Sequence, residues 1–140
     1  AYGSADRRRS IIASPAEFVI INYDGVEIVA DEIAAGGFDL IVVDECNAYK
    51  NAQTKRWKTL LSLIKPNTWL WMLTGTPAAQ SPLDAYGLAK LVNPDNVPRY
   101  FTAFRDQVMY KLTNFRWLAK DTATQTVFNA LQPASRFTED

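Results

Sequence analysis

Phe38-Asp39-Leu40-Ile41-Val42-Val43-Asp44-Glu45 decides the fold class, because an apolar run there stops abruptly at two adjacent carboxylates. Bounded upstream by Gly36-Gly37, such a run reads as a buried parallel strand whose last residues emerge at the carboxyl edge of its sheet. Open α/β sheets bind ligands at that edge. Two readings of the acids follow: they end a core strand and accept hydrogen bonds from the next loop, or they work on a ligand held there. Trp69-Leu70-Trp71-Met72-Leu73 is a second short apolar run. It ends in Thr74-Gly75-Thr76-Pro77, small and hydroxyl residues that the same edge would present.

Working outward, residues 18–22 read as a strand before the acidic one, and residues 26–35 as a helix stopped by Gly36-Gly37. Residues 38–43 form the acid-bearing strand. A helix beginning at 52 or 54 and running to 64 puts Trp57, Leu60, Leu61 and Ile64 on one face, with Lys65-Pro66-Asn67 ending it. Residues 69–73 form the third strand. Strands alternating with helices of this length imply a parallel sheet. Pro82 opens a further helix, residues 99–107 another, and residues 123–137 a short one ended by Pro133. Beyond Met109 the pattern is weak. Tyr110, Phe115, Trp117, Leu118, Val127, Phe128 and Leu131 either cover the helices or form a surface for another body to bury.

Several of these segments have a familial look. Asp44-Glu45-Cys46-Asn47 resembles the DEAD/DEAH box of superfamily 2 helicases and translocases, and Leu73-Thr74-Gly75-Thr76-Pro77 resembles their motif III. Phe18-Val19-Ile20-Ile21-Asn22-Tyr23, Ala48-Tyr49-Lys50-Asn51 and Tyr86-Gly87-Leu88-Ala89-Lys90-Leu91-Val92-Asn93-Pro94 are similar to flanking stretches of the Swi/Snf-like branch of DNA-dependent ATPases. The ordered series spans roughly residues 15–105, and together it is far more specific than any single motif.

The resemblance implies an α/β fold: a partial RecA-like (P-loop NTPase) parallel sheet flanked by helices, with a helical C-terminal elaboration. It implies one partial ATP-binding lobe over residues 1–140, with an α/β core at about 15–80 and a helical extension at about 81–140. The activity implied is ATP hydrolysis coupled to movement along nucleic acid, with double-stranded DNA as the track and ATP and Mg²⁺ as cofactors. Asp44 would hold the metal, directly or through water, and Glu45 would orient the attacking water, as in other phosphoryl-transfer sites. Asn47, Thr74, Gly75 and Thr76 would couple the nucleotide to the track, while Asn22, Tyr23, Lys50 and Asn51 would lie near nucleic acid. For the threonines alone, a capped turn in which Gly75 supplies backbone freedom is the other reading.

This chain departs from the branch at two places. Asn47 stands where His is usual, and an amide cannot carry charge; Gln80 stands where Asn is frequent. No G-x-x-x-x-G-K-[ST] phosphate loop occurs in the sequence, which begins with Ala1. The expectation is therefore a fragment of a larger enzyme, silent alone, whose partners include the P-loop segment and a second RecA-like lobe. Arg136 is the one candidate for the basic brace that precedes a second lobe in the family.

Composition agrees with a folded, ordered chain. Of 140 residues 48% are hydrophobic and 12% aromatic, which is not a disordered composition. Fifteen basic and fifteen acidic residues cancel, so no global field attracts nucleic acid. Two basic clusters, Arg7-Arg8-Arg9 and Lys50, Lys55, Arg56 and Lys58, either meet phosphates or are solvated surface. The sequence has no histidine and one cysteine, which excludes a Ser-His-Asp triad, a histidine-ligated zinc and an intrachain disulfide. Cys46 is either a small buried side chain or a reactive thiol. No apolar run is long enough to span a membrane and no signal peptide is visible, so an intracellular setting, cytoplasmic or nuclear-type, is expected. An unpaired sheet edge would favour self-association. Three other identities share some of these features: an ATPase-inactive nucleic-acid-binding module, a first-lobe piece of a viral or restriction-type superfamily 2 helicase, and an unrelated flavodoxin-like or Rossmann-like domain.

Overall fold

In the computed structural model, which describes residues 1–78 and 80–137, the two apolar runs form strands β1 (Leu40–Val43) and β2 (Trp69–Met72), paired with each other. Trp69 N–H donates to the Asp39 carbonyl at 2.7 Å, and Leu73 N–H to the Val43 carbonyl at 2.8 Å. The residue offset is the same at both ends, so the strands are parallel, as a βαβ connection requires. The chain divides into two compact units, residues 1–42 with 53–71, and residues 43–52 with 72–140.

The first unit holds α1 (Ala5–Ile12), α2 (Tyr23–Ile28), α3 (Ala30–Ala35) and α4 (Lys55–Leu63). Thr54 begins α4 by accepting the Trp57 N–H at 3.2 Å, satisfying a donor that the helix cannot. Helix α4 buries Trp57, Leu60 and Leu63; of the other two residues expected on that face, Leu61 is 45% exposed and Ile64 lies beyond the helix as its C-cap. Ion pairs join α2 to α4, Arg56 to Asp24 at 2.7 Å and Lys55 to Glu27 at 3.4 Å, and Arg9 joins α1 to Glu32 of α3 at 2.6 Å. Three of the basic residues with two sequence readings are thus paired with acids.

Four further details differ from the sequence expectation. Residues 18–22 are not a strand; a strand is defined by its ladder, and Phe18 and Ile20 stand 86% and 87% exposed. The helix expected over 26–35 is two short ones, broken at Val29, whose backbone (φ −125°, ψ 31°) is not helical. The helix expected over 123–137 stops at Ala130, well before Pro133. The acid-bearing strand is not buried on both faces: in the first unit Leu40, Val42, Trp69 and Trp71 are exposed while Ile41 and Leu70 turn inward.

The second unit is built on α5 (Ala85–Val92), α6 (Phe101–Val108) and α7 (Ala123–Ala130). Ser81 accepts the Leu83 N–H at 3.2 Å to start the turn into α5, and Pro82 occupies the first turn, where its missing N–H is not needed. Ala85, Tyr86, Ala89, Val97, Phe104, Val108, Ala123 and Ala130 form the core. Tyr86 packs edge-on to Phe101 at 5.4 Å and donates its hydroxyl to the Arg99 carbonyl at 2.8 Å. Burial pushes the Tyr86 phenol up. Between α6 and α7, where the sequence pattern is weak, lies an antiparallel hairpin, β3 (Met109–Thr113) with β4 (Arg116–Ala119). The end of the expected helical extension, residues 138–140, lies outside the described residues.

Candidate functional site

Asp44 and Glu45 leave β1 where the second unit begins, and Thr74-Gly75-Thr76 leave β2 beside them. A regular parallel ladder that sends Leu73 N–H to Val43 would next send Glu45 N–H to the Leu73 carbonyl. Here the N–H of Cys46 makes that bond, at 2.9 Å. Glu45 is the residue left over, a bulge in the ladder. Its backbone is left-handed (φ 49°, ψ 51°), the one non-glycine residue at positive φ among those described, and its N–H turns to Asp44 Oδ1 at 3.0 Å. Glutamate gains nothing from that conformation, which costs roughly 1–2 kcal/mol. Strain of this kind persists where the surroundings over-determine it, characteristically at functional sites.

After Glu45 the chain makes a 3₁₀ turn, Cys46–Tyr49, with Cys46 and Tyr49 buried. Burial pushes the Cys46 thiol up to about 11, with the neighbouring Glu45 and Asp44 carboxylates adding to it. Of the two readings of Cys46, the geometry supports the buried, unreactive one. Asn47 is half-buried in this turn, and its carbonyl accepts the Lys50 N–H at 3.2 Å.

Lys50 ties the acid-bearing segment to the segment after Thr-Gly-Thr-Pro. Its ammonium donates to Gln80 Oε1 at 2.8 Å and pairs with Asp84 at 3.4 Å; Gln80 N–H donates to the same Asp84 carboxylate at 3.3 Å. The close approach of α5 to this turn depends on Gly87. A Cβ there would stand 2.1 Å from the Lys50 carbonyl oxygen and 2.8 Å from that of Tyr49. Neither tie was visible in the sequence, although Lys50, Gln80 and Gly87 all lie in stretches that carried the resemblance.

Thr74 Oγ1 accepts the Thr76 N–H at 3.2 Å, closing a side-chain turn over Gly75. Gly75 has no positive φ, and nothing lies within 4 Å of where its Cβ would be. Backbone freedom therefore does not explain glycine at this position, and the reading that gave Gly75 that task is corrected. Asn51 is exposed in the same unit. Asn22 and Tyr23 belong to the first unit, where Asn22 precedes α2 and the Tyr23 ring lies under the Arg56 guanidinium at 5.3 Å.

The donor set decides which cation the site fits. Asp44 and Glu45 are exposed hard-oxygen donors, and no group of three or more His, Cys, Asp or Glu poised around a metal occurs among the described residues. Two carboxylates suit Mg²⁺ that keeps water and phosphate oxygens as its other ligands, and do not suit an all-protein cage. The residues fit a cation that arrives with a nucleotide.

Comparison with known proteins agrees. The SNF2-related domain model matches residues 3–133, and the chain belongs to that family. It is 35% identical over 81 residues to the SWI/SNF-related matrix-associated actin-dependent regulator of chromatin subfamily A-like protein 1 of Xenopus laevis, covering 58% of this chain and 8% of that protein. It is 31% identical over 81 residues to the chromatin-remodeling ATPase INO80 of Saccharomyces cerevisiae, covering 58% and 5%. The chain thus spans under a tenth of the length of these relatives. No solved structure matches. No helix among the described residues is long and apolar enough to cross a membrane.

Proposed function

We propose that this chain is the acid-box and motif III part of a Swi/Snf-like ATPase that moves along double-stranded DNA, within a longer protein that supplies a phosphate loop and a second RecA-like lobe. One observation carries the reading: the strained Glu45 and its neighbour Asp44 sit at the end of β1, tied through Cys46 N–H to the Leu73 carbonyl at the threshold of Thr74-Gly75-Thr76. Asp44 would hold Mg²⁺, directly or through water, and that ion neutralises developing phosphate charge when bound. Glu45 accepts a proton from, and orients, the attacking water. Thr74, Gly75, Thr76 and Asn47 transmit the state of that site, with Lys50 joining the acid-bearing turn to Gln80 and Asp84. The names of the relatives, a regulator of chromatin and a chromatin-remodeling ATPase, support DNA as the track. Asn22, Tyr23 and Asn51 are weaker candidates for contact with it.

The test is DNA-stimulated ATP hydrolysis by the protein extended upstream through a phosphate loop, wild type against Glu45→Gln. Stimulated hydrolysis that falls at least about 100-fold in the variant is expected, since loss of a positioned base or water-orienting group commonly costs that much. Equal turnover by both proteins would refute the role of Glu45. Absence of hydrolysis from both would favour an ATPase-inactive nucleic-acid-binding module.

A further inference from the structure

The hairpin β3–β4 presents an aromatic side chain that the fold does not use. Phe115, at its tip, is 98% exposed, so folding removes almost none of its apolar surface from water. The turn beneath it is ordered, with Phe115 N–H donating to Thr113 Oγ1 at 3.3 Å. The stem is fixed at its base: Lys120 N–H donates to the Val108 carbonyl at 2.9 Å, and the Lys120 ammonium reaches the Asp106 carbonyl. The Arg105 guanidinium lies 4.1 Å over the Trp117 ring and pairs with Asp106 at 3.0 Å. A mounted stem and an exposed ring form a preorganised contact.

The charge around the tip is one-sided. From Gln107 to Lys120 the chain carries Lys111, Arg116 and Lys120 and no acid, although the whole chain has net charge zero. Lys111 and Arg116 are exposed, and Tyr110 and Leu112 add exposed apolar surface, 45% and 50%, to the stem. An exposed ring beside unopposed cations is the combination that binds single-stranded nucleic acid, in which bases stack on aromatic faces and phosphates meet lysine and arginine.

We propose that the hairpin is a nucleic-acid contact in which Phe115 stacks on an unpaired base while Lys111 and Arg116 meet the flanking phosphates. The contact goes beyond the proposed function, whose track is duplex, by adding a site for an unpaired strand. It needs no nucleotide hydrolysis, so its failure and that of the ATPase reading are separable.

The test is fluorescence anisotropy of the 140-residue chain with a labelled single-stranded oligothymidylate and with a duplex of equal length, without ATP. Phe115→Ala weakens the single strand about 5- to 150-fold, the range for loss of one stacked base, and leaves duplex binding unchanged. Phe115→Trp retains binding. Replacing Lys111 and Arg116 by Gln lowers the salt slope by about 1.4, two single-strand phosphate contacts. Because Phe115 is exposed, all variants keep the wild-type circular dichroism and melting temperature. Equal affinity of Phe115→Ala and wild type for the single strand, an equal loss on the duplex, or no binding of the single strand by wild type would each overturn the proposal.

Discussion

Gly87→Ala separates the packing of α5 on the Lys50 turn from intrinsic helix propensity, because the two give opposite signs. Gly87 lies inside α5, where alanine is favoured over glycine by about 1 kcal/mol, so propensity alone makes the variant more stable. Its Cβ would however stand 2.1 Å from the Lys50 carbonyl oxygen and 2.5 Å from the carbonyl carbon. Carbon-to-oxygen contacts sit at about 3.3 Å or more, so the helix and the turn must separate by more than about 1 Å. The obstacle is backbone and cannot rotate away. Overpacking of this kind costs roughly 1–3 kcal/mol, occasionally more, and a backbone clash belongs at the upper end. Net of the propensity gain, we expect destabilisation of about 2 kcal/mol, or a fall of roughly 6–10 °C in Tm for a chain of this size. Urea unfolding followed by circular dichroism reads it directly. Equal or greater stability of Gly87→Ala would show that α5 does not press on the Lys50 turn, and would refute the account of how that turn is positioned.

Other perturbations test the site from different sides. At Glu45, glycine should be more stable than alanine by about 1 kcal/mol, because it relieves the left-handed strain, although both abolish hydrolysis; greater stability of alanine in urea unfolding would remove the strain argument. Gly75→Ala should leave stability within about 0.5 kcal/mol of wild type, as expected for an unhindered site, yet lower ATP turnover in the extended protein; a large loss of stability would mean the loop needs glycine for folding. Cys46, raised by burial from 9.0 to about 11, should react with a disulfide reagent at pH 8 about 100-fold more slowly in the native chain than in urea, as a two-unit loss of thiolate implies. A raised thiol pKa also means that the contribution of Cys46 to stability is complete below pH 9 and is lost as pH climbs towards 11; equal rates in native and unfolded chain would contradict both. The exposed Leu40, Val42, Trp69 and Trp71, on a two-stranded sheet with unpaired outer edges among the described residues, should drive concentration-dependent association of the isolated chain. One monomeric species across the range in analytical ultracentrifugation would count against it.

Much of the central βαβ was legible because its signals are local. The apolar runs 40–43 and 69–72, the helix starting near 54 and the inward side of Trp57 and Leu60 are each set by a few neighbouring residues, and the structure keeps them with shifts of one to three positions. Residues 18–22 failed because strand propensity says nothing about whether a ladder partner is present. Val29 breaks a helix within a sequence that has helical periodicity on both sides, a tertiary choice that propensity does not register. The hairpin had readable signals, alternating Tyr110 and Leu112 and an Asn114 turn, but its aromatic residues also suited a cover for helices. At the site, the identities of Asp44, Glu45 and the threonines came from the sequence, whereas the Lys50 bridge, the space left by Gly87 and the left-handed Glu45 are products of long-range register.

That register offers a physical reason why two adjacent acids could take the different tasks proposed for them. Side chains of neighbouring strand residues point to opposite faces of a sheet, so a regular β1 would send Asp44 and Glu45 apart. The bulge breaks the alternation at the second acid. Cys46 takes over the ladder bond to Leu73, the Glu45 backbone turns left-handed, and Asp44 Oδ1 holds the Glu45 N–H at 3.0 Å. Asp44 thereby fixes the start of the turn from which Glu45 is presented, and the buried Cys46 and Tyr49 anchor its far side. The Lys50 ammonium and the Gly87 gap then hold that turn against Gln80, Asp84 and α5. In the proposed role, a carboxylate that orients water needs a fixed backbone, and apart from Asp44 the fixing is done by Cys46, Tyr49, Lys50 and Gly87, none of which has a proposed part in hydrolysis.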